Sequence, residues 1–330
     1  MQDLSEANSQ DSSQNNFSIF YLFSIMTTPV STDIQKAFDS SAATSNLVTL
    51  SNEAATNFID LMKDQSVVLK RARVEKVGTA TKTLGRLIST GEFFRDPTEA
   101  IAWDTVGMQP IEIVMREIRG EFRIYDSEKR HSTDESLETK IINLIAKKAA
   151  NSLEKLSLNS DKALVTGPLI NRKFDGFLKR IKTSGQYLDA TNVAIFADAY
   201  VDRAKLTKML KTMPTVFRDT AEFMMHNNAR IDYVESLVGN FNRNELITNI
   251  LGSNVSEAPL MTVDGSNNTA IILTNPLNLI FAISTDAGSI QFEKFRNAAD
   301  RCDEYYFTME VDFTMEAPDA AVMLDKAKIR

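Results

Sequence analysis

The sequence predicts an α+β fold built around one long helix, on three observations. Residues 117–124 alternate Ile118, Gly120, Phe122 and Ile124 with Glu117, Arg119, Glu121 and Arg123, the period-two mark of a half-buried strand. Residues 134–158 carry an apolar stripe at steps of three and four. From about residue 192, short helix and strand patterns alternate and end in a second period-two strand over 307–316.

A chain of 330 residues has room for about two domains and for a core that needs no disulfide or metal. Only 12 of its residues are glycine, which argues against a glycine-rich nucleotide-binding fold. The net charge of −7 argues against a protein that grips duplex DNA through its phosphates. It does not argue against a wall that encloses DNA without adhering to it. The lone cysteine, Cys302, rules out an intrachain disulfide and fits folding in a reducing cytosol. The longest apolar run, residues 17–26, is about half the length of a bilayer-spanning helix. The residues before it hold Asp3, Glu6 and Asp11 but no Lys or Arg, so neither a membrane span nor a secretory leader is expected.

Along the chain, residues 1–16 are rich in Ser, Asn, Gln and Asp, and residues 1–31 are expected to stay disordered. Met26-Thr27-Thr28-Pro29 leaves two readings. Translation starts at Met26, or residues 1–25 form an arm with an apolar tip. A short helix is expected over 53–63, then a strand at Val67-Val68-Leu69 that leads into Lys70, Arg71 and Arg73. Over 78–110, Gly78, Gly85, Gly91, Pro97, Gly107 and Pro110 interrupt every apolar piece. A stretch this long without its own periodicity reads as an extended excursion, whose apolar residues need cover from elsewhere.

The long helix opens on Ser132-Thr133-Asp134-Glu135, which has capping-box spacing. Its stripe is Leu137, Ile141, Leu144, Ile145, Ala149, Leu153 and Leu156, and Asn159-Ser160-Asp161 closes it. Further on, Ala199, Leu206, Met209, Leu210 and Met213 predict a helix stopped by Pro214. Residues 222–225 predict a strand. Asn228 is placed to cap a helix with stripe Ile231, Val234, Leu237 and Val238 that ends at Gly239. Strands are expected at 270–273, 279–283 and 321–324.

The search for chemistry returns no catalytic, cofactor-binding or metal-ligating set. There is no phosphate-binding glycine loop, no Gly-x-Ser-x-Gly elbow, no paired cysteine, and His131 and His226 are the only histidines. His226 reads as a strand-end residue. Glu310 and Asp312 read as a solvated strand face, and Asp300, Asp303 and Glu304 as a solvated or subunit-contacting loop. The basic groups Lys70, Arg71, Arg73 and Arg172, Lys173, Lys179, Arg180, Lys182 have two readings, contact with DNA or pairing with carboxylates on neighbouring subunits, and the acidic balance of the chain favours the second.

Five short segments occur in a telling order: Ser136-Leu137-Glu138 through Leu153-Glu154, Asp175-Gly176-Phe177-Leu178-Lys179, Met213-Pro214 with Phe217-Arg218, Phe223-Met224-Met225, and Pro318-Asp319-Ala320-Ala321-Val322. Over about residues 55–326 this order resembles the major capsid proteins of tailed bacteriophages, the Hong Kong 97 phage capsid fold. The resemblance implies a disordered N-terminus at 1–31, an N-terminal arm at 32–73 and an extended loop at 74–116. It further implies a peripheral domain at 117–190 and 289–330 with a spine helix at 134–158, and an axial domain at 191–288. It implies a non-enzymatic, cofactor-free protein that self-assembles in the host cytoplasm into pentamers and hexamers of a virion shell around double-stranded DNA. The partners implied are other copies, a separate scaffolding protein if any is used, portal and decoration proteins, and packaged DNA in weak non-specific contact. Some members weld their shells through Lys–Asn isopeptide bonds; Lys82 is the loop amine such a bond would use, with no Asn or activating carboxylate assignable. Phe93, Phe94, Trp103, Arg71 and Arg73 are the candidate subunit-interface residues. The alternatives are an encapsulin-like bacterial nanocompartment shell and, from another class, an α/β enzyme built on residues 190–290.

Overall fold

The computed structural model describes residues 47–49, 52–89, 106–130, 137–236, 249–285 and 289–330. In chain order the first half holds β1 (Leu47–Thr49), α1 (Asn52–Gln65), β2 (Arg73–Val77), β3 (Thr81–Ser89), β4 (Val106–Val114), β5 (Arg116–Tyr125), α2 (Asp126–Arg130) and α3 (Leu137–Asn159). Then come α4 (Phe177–Ser184), β6 (Gln186–Asp189), α5 (Arg203–Thr212), α6 (Thr215–Arg218), β7 (Glu222–Met225), α7 (Asn227–Ser236), β8 (Asn249–Ile250) and β9 (Ser253–Glu257). The chain closes with β10 (Asn268–Thr274), β11 (Leu279–Ser284), β12 (Gln291–Asn297), β13 (Cys302–Met315) and β14 (Ala321–Lys328). No helix among the described residues is long and apolar enough to cross a membrane.

The first sheet runs β1-β12-β13-β11-β2, with β5 on the far edge of β13. The 14-residue β13 organises it. Thr308 pairs with both Arg119 of β5 and Gln291 of β12, and Val311 pairs with both Arg116 of β5 and Ile283 of β11. Thus β12 and β11 follow each other along one edge, while β5 covers the other. The second sheet runs β6-β14-β10-β7-β9-β8. It is buried on both faces. Phe223, Met225, Ile271, Leu273, Val322 and Leu324 pack with Leu206 and Met209 of α5 and Tyr233 of α7. The residues between them, Met224, Ile272 and Met323, join the main core with α1, α3, α4 and the first sheet. Two-sided burial makes these strands near-continuous apolar runs rather than alternating ones. Phe313 sits centrally in the main core, with the rings of Phe174, Phe281 and Phe177 at 5.2, 5.4 and 6.2 Å.

Among the described residues the chain passes between the sheets between β5 and β6 and again at 274–279 and at 315–321, and the last two crossings lie side by side. Asn278 joins them. Its amide nitrogen donates to Thr274 Oγ1 and the Ala317 carbonyl at 3.1 and 2.9 Å, and its oxygen accepts from Ala317 N at 2.7 Å. This redistributes two strands. β11, expected within 191–288, belongs to the first sheet, and β14, expected within 289–330, belongs to the second. Similarly β2, the start of the stretch expected as loop 74–116, pairs in parallel with β11. The excursion beyond it is an antiparallel hairpin, β3 with β4, in register from Thr81↔Val114 to Ser89↔Val106.

Local corrections have local causes. Residues 67–70 form a turn, not a strand. Glu154 of α3, almost fully buried, accepts from the Val67 and Val68 amides at 3.1 and 3.3 Å and from Ser66 Oγ, so two of the amides a strand would use are held by a side chain. The helix expected from Ala199 starts at Arg203, where the Asp202 carboxylate accepts from Lys205 N at 2.9 Å. In α7 the buried residues are Ala229, Asp232 and Tyr233, while Ile231 is 56% exposed. Leu237, Val238 and Gly239, and the capping segment at 132–135, lie outside the described residues. Gly176 follows from contact rather than conformation. A Cβ there would meet Ser157 O, Leu158 O and Ser160 N, all backbone, at 2.8 to 2.9 Å, where the chain doubles back over the end of α3.

Asp312 is buried rather than on a solvated face. The junction of β4 and β5 crosses over it, and its carboxylate accepts from Val114 N at 3.0 Å with the Arg180 guanidinium 4.0 Å away. Burial outweighs these partners and raises its pKa above 3.8. A carboxyl raised in the folded state favours folding only below its unfolded pKa, and that benefit is lost as pH rises through the folded value. Asp312→Asn, which still accepts from Val114, is therefore expected to stabilise the protein more at pH 7 than at pH 3.5, read from unfolding midpoints. Glu154→Ala strips three donors, two of them buried, of their acceptor and is expected to cost about 3 kcal/mol in chemical denaturation.

Candidate assembly surface

Groups with catalytic or metal-binding potential are engaged elsewhere. His226 Nδ1 accepts from Asn228 N at 3.2 Å and so orders the entry to α7. Cys302 is buried, and burial pushes its thiol pKa up. Asp300, Cys302 and Glu304 stand close enough to share a cation. Yet Glu304 is paired with Arg123 at 2.9 Å, and Asn297 Nδ2 donates to both Asp300 and Glu304 at 3.1 Å. Asp303, one of the three carboxylates expected on a solvated or subunit-contacting loop, lies on β13 and is buried against Arg296 at 3.0 Å, and Arg296 also grips Asp126 at 2.6 Å.

The basic residues named as interface candidates meet carboxylates of their own chain. Arg71 pairs with Glu222 at 2.7 Å and donates to Ser256, which ties the turn after α1 to the second sheet. Arg73 lies 3.2 Å from Glu316 and 3.4 Å from Glu75. In the second basic group, Lys179 pairs with Asp161 at 3.1 Å and Lys182 with Asp325 at 2.9 Å. Each of these residues therefore has a carboxylate of its own chain in reach: Arg71 from the turn after α1, Arg73 from the start of β2, and Lys179 and Lys182 from α4. Phe93, Phe94 and Trp103 lie outside the described residues.

The hairpin β3–β4 has two unlike faces. On one, Leu84 and Ile113 pack with Val77 and Ala282 into a small cluster at its root. Lys82 reaches Glu75 at 2.5 Å, and Arg86 faces Asp319 at 3.9 Å. The Lys82 ammonium is the main reason the Glu75 pKa falls below 4.5. It also means the one loop amine considered for an isopeptide bond is already ion-paired. On the other face the cross-strand partners Leu87 and Met108 are 68% and 69% exposed, and Val106 is 60% exposed. Adjacent apolar side chains this open mark a surface meant for contact. The alternation of Leu84 and Leu87 within 81–89 is weak, and Gly85, beside Met108, hides the strand pattern.

No family model and no curated protein matches this sequence. Solved structures do. A subunit of the satellite phage P4 procapsid is similar at 14% identity and a TM-score of 0.62, covering 90% of this chain and 98% of that one. A capsid subunit of a native GTA particle is similar at 15% identity and a TM-score of 0.55, covering 80% and 90%. The SrpI encapsulin from Synechococcus elongatus is similar at 11% identity and a TM-score of 0.56, covering 79% and 87%. The fold expected from the order of short motifs is the fold observed: this chain is built as the subunits of phage capsid shells are built.

Proposed function

We propose that this protein is the major capsid protein of a tailed-phage-type head, whose copies form pentamers and hexamers that close into a shell around double-stranded DNA. The observation that carries the reading is the match in architecture along nearly the whole chain, 98% of the P4 procapsid subunit included. The exposed apolar face of the β3–β4 hairpin supports it, since a face of this kind calls for cover by another molecule. Ion pairing within the subunit fits the same reading. It leaves apolar and shape contacts, each modest, to hold copies together, and modest contacts let a misplaced subunit leave. The acidic chain is suited to a wall that encloses DNA without gripping it. A scaffold, a portal and decoration proteins are the further partners of this reading, and the host cytoplasm is its assembly site.

The encapsulin reading is favoured by the similarity to the SrpI subunit. Particles purified from the native host decide between the two: nuclease-protected DNA inside supports the phage head, and a protein cargo without DNA supports the compartment.

Two sets of variants test the assembly surface. Leu87→Asp and Met108→Asp change exposed positions and should shift monomer stability by no more than about 0.5 kcal/mol. As lost interface anchors they should lower the yield of sedimenting shells by more than about tenfold. Trp103→Ala is expected to reduce shell yield and shell heat resistance more than monomer stability. Wild-type shell yield in all three variants removes the hairpin and its loop from the interface.

A further inference from the structure

β5 and residues 144–156 of α3 face each other across a gap. Ile118 and Phe122 on the strand are only partly buried against the core, and Leu144 on the helix is 53% exposed although it belongs to the helix's apolar stripe. Between them lies an open, mainly apolar groove of about 650 Å³, floored by Ile118, Phe122, Ile145 and Met309. Two facing elements with apolar sides and no filling are not how a finished core looks, because interiors pack without voids of this size. Arg119, Arg123, Lys148 and Lys155 stand among its lining residues, against the carboxylates Glu121 and Glu128.

The sequence contains a segment of matching chemistry that the described fold does not use. Residues 17–26 are the longest apolar run in the chain, with eight large apolar or aromatic side chains among ten residues. The residues from 1 to 26 carry Asp3, Glu6 and Asp11 and no Lys or Arg, so the segment is acidic; the groove's lining offers it Lys148 and Lys155, while Arg119 and Arg123 pair with Glu121 and Glu304. Strand register brings the two together. Leu47 pairs with Glu293, Glu293 with Tyr306, and Tyr306 with Glu121, so Leu47 shares one cross-strand row with a residue of the groove. Three strand spacings make that distance about 14 Å. The 20 residues from 27 to 46 can span up to about 66 Å, far more than the reach required.

We infer that the groove between β5 and α3 is the docking site of the chain's own segment 17–26, held by apolar contact in the groove and by acidic residues 3–11 against Lys148 and Lys155 of its lining. Docking gives the segment a role in the folded subunit and closes the main core on its open side. The inference stands independently of the shell reading, since it concerns a single subunit.

Engineered disulfides in the full chain test it. Leu22→Cys is combined with Leu144→Cys, or with Lys148→Cys on the exposed rim, as a second position that leaves the groove floor intact. Cys302 is buried and does not compete. Leu22→Cys with Val193→Cys, an 87% exposed position away from the groove lining, is the control. After mild oxidation at low protein concentration, peptide mass spectrometry is expected to find the intrachain bridge to residue 144 or 148 at least about tenfold above the control, as a preformed contact raises effective concentration. Bridging equal to the control at both positions overturns the proposal, as does a bridge formed only between two chains.

Discussion

One buried carboxylate holds the subunit's first half to its long helix. Glu154 lies on the inner face of α3, and a single oxygen of its side chain takes the Ser66 hydroxyl and the amides of Val67 and Val68. A charge placed there would be costly on its own, and these donors are what offset it. Its second oxygen is buried without a hydrogen-bond partner among the described residues. The turn that Glu154 clamps ends α1 and aims the chain into β2. From β2 follow the parallel pairing with β11 and the direction in which the hairpin leaves the body. Arg71, paired with Glu222, fixes the far end of the same turn.

The second organising contact is Asn278, which binds the crossings at 274–279 and 315–321 to each other. Each crossing alone is a short irregular turn. Joined through one amide, they behave as a single seam, and the alternate faces of β7, β10 and β14 can then serve two cores at once. The two sheets are therefore not separable modules. Each depends on a strand delivered by the other's sequence neighbourhood.

Much of this architecture is legible in the amino-acid sequence. The alternation in β5 and β13 and the stripe of α3 are strong because one face of each is solvated or thinly covered, so polarity follows geometry. Elsewhere the signal fails for physical reasons. Val67-Val68-Leu69 has strand composition, but the donors of Val67 and Val68 are claimed by a residue nearly ninety positions away. Asp312 looks solvated on a period-two strand because the strand junction that covers it is remote in sequence. Ile231 looks like a core residue, yet α7 turns Asp232 and Tyr233 inward instead. Arg71 and Arg73 are legible as ion-pairing residues, but local sequence carries no information on whether the partner is the same chain. The hairpin's apolar outer face is signalled only as an interrupted stretch, since Gly85, Gly107 and Pro110 mask its register.

The parallel pairing of β2 with β11 sets a timetable for synthesis. Arg73 finds its neighbour at Ile280, and β5 finds its own on β13, whose last residue is Met315. A ribosome that has made α1, the hairpin and α3 has still not produced β11 and β13, which receive β2 and β5. Pairings so distant in sequence form late and slowly. The hairpin root and its outward face become properly oriented only when almost the entire polypeptide has emerged. An N-terminal fragment that stops short of β11 and β13 therefore lacks the partners of β2 and β5.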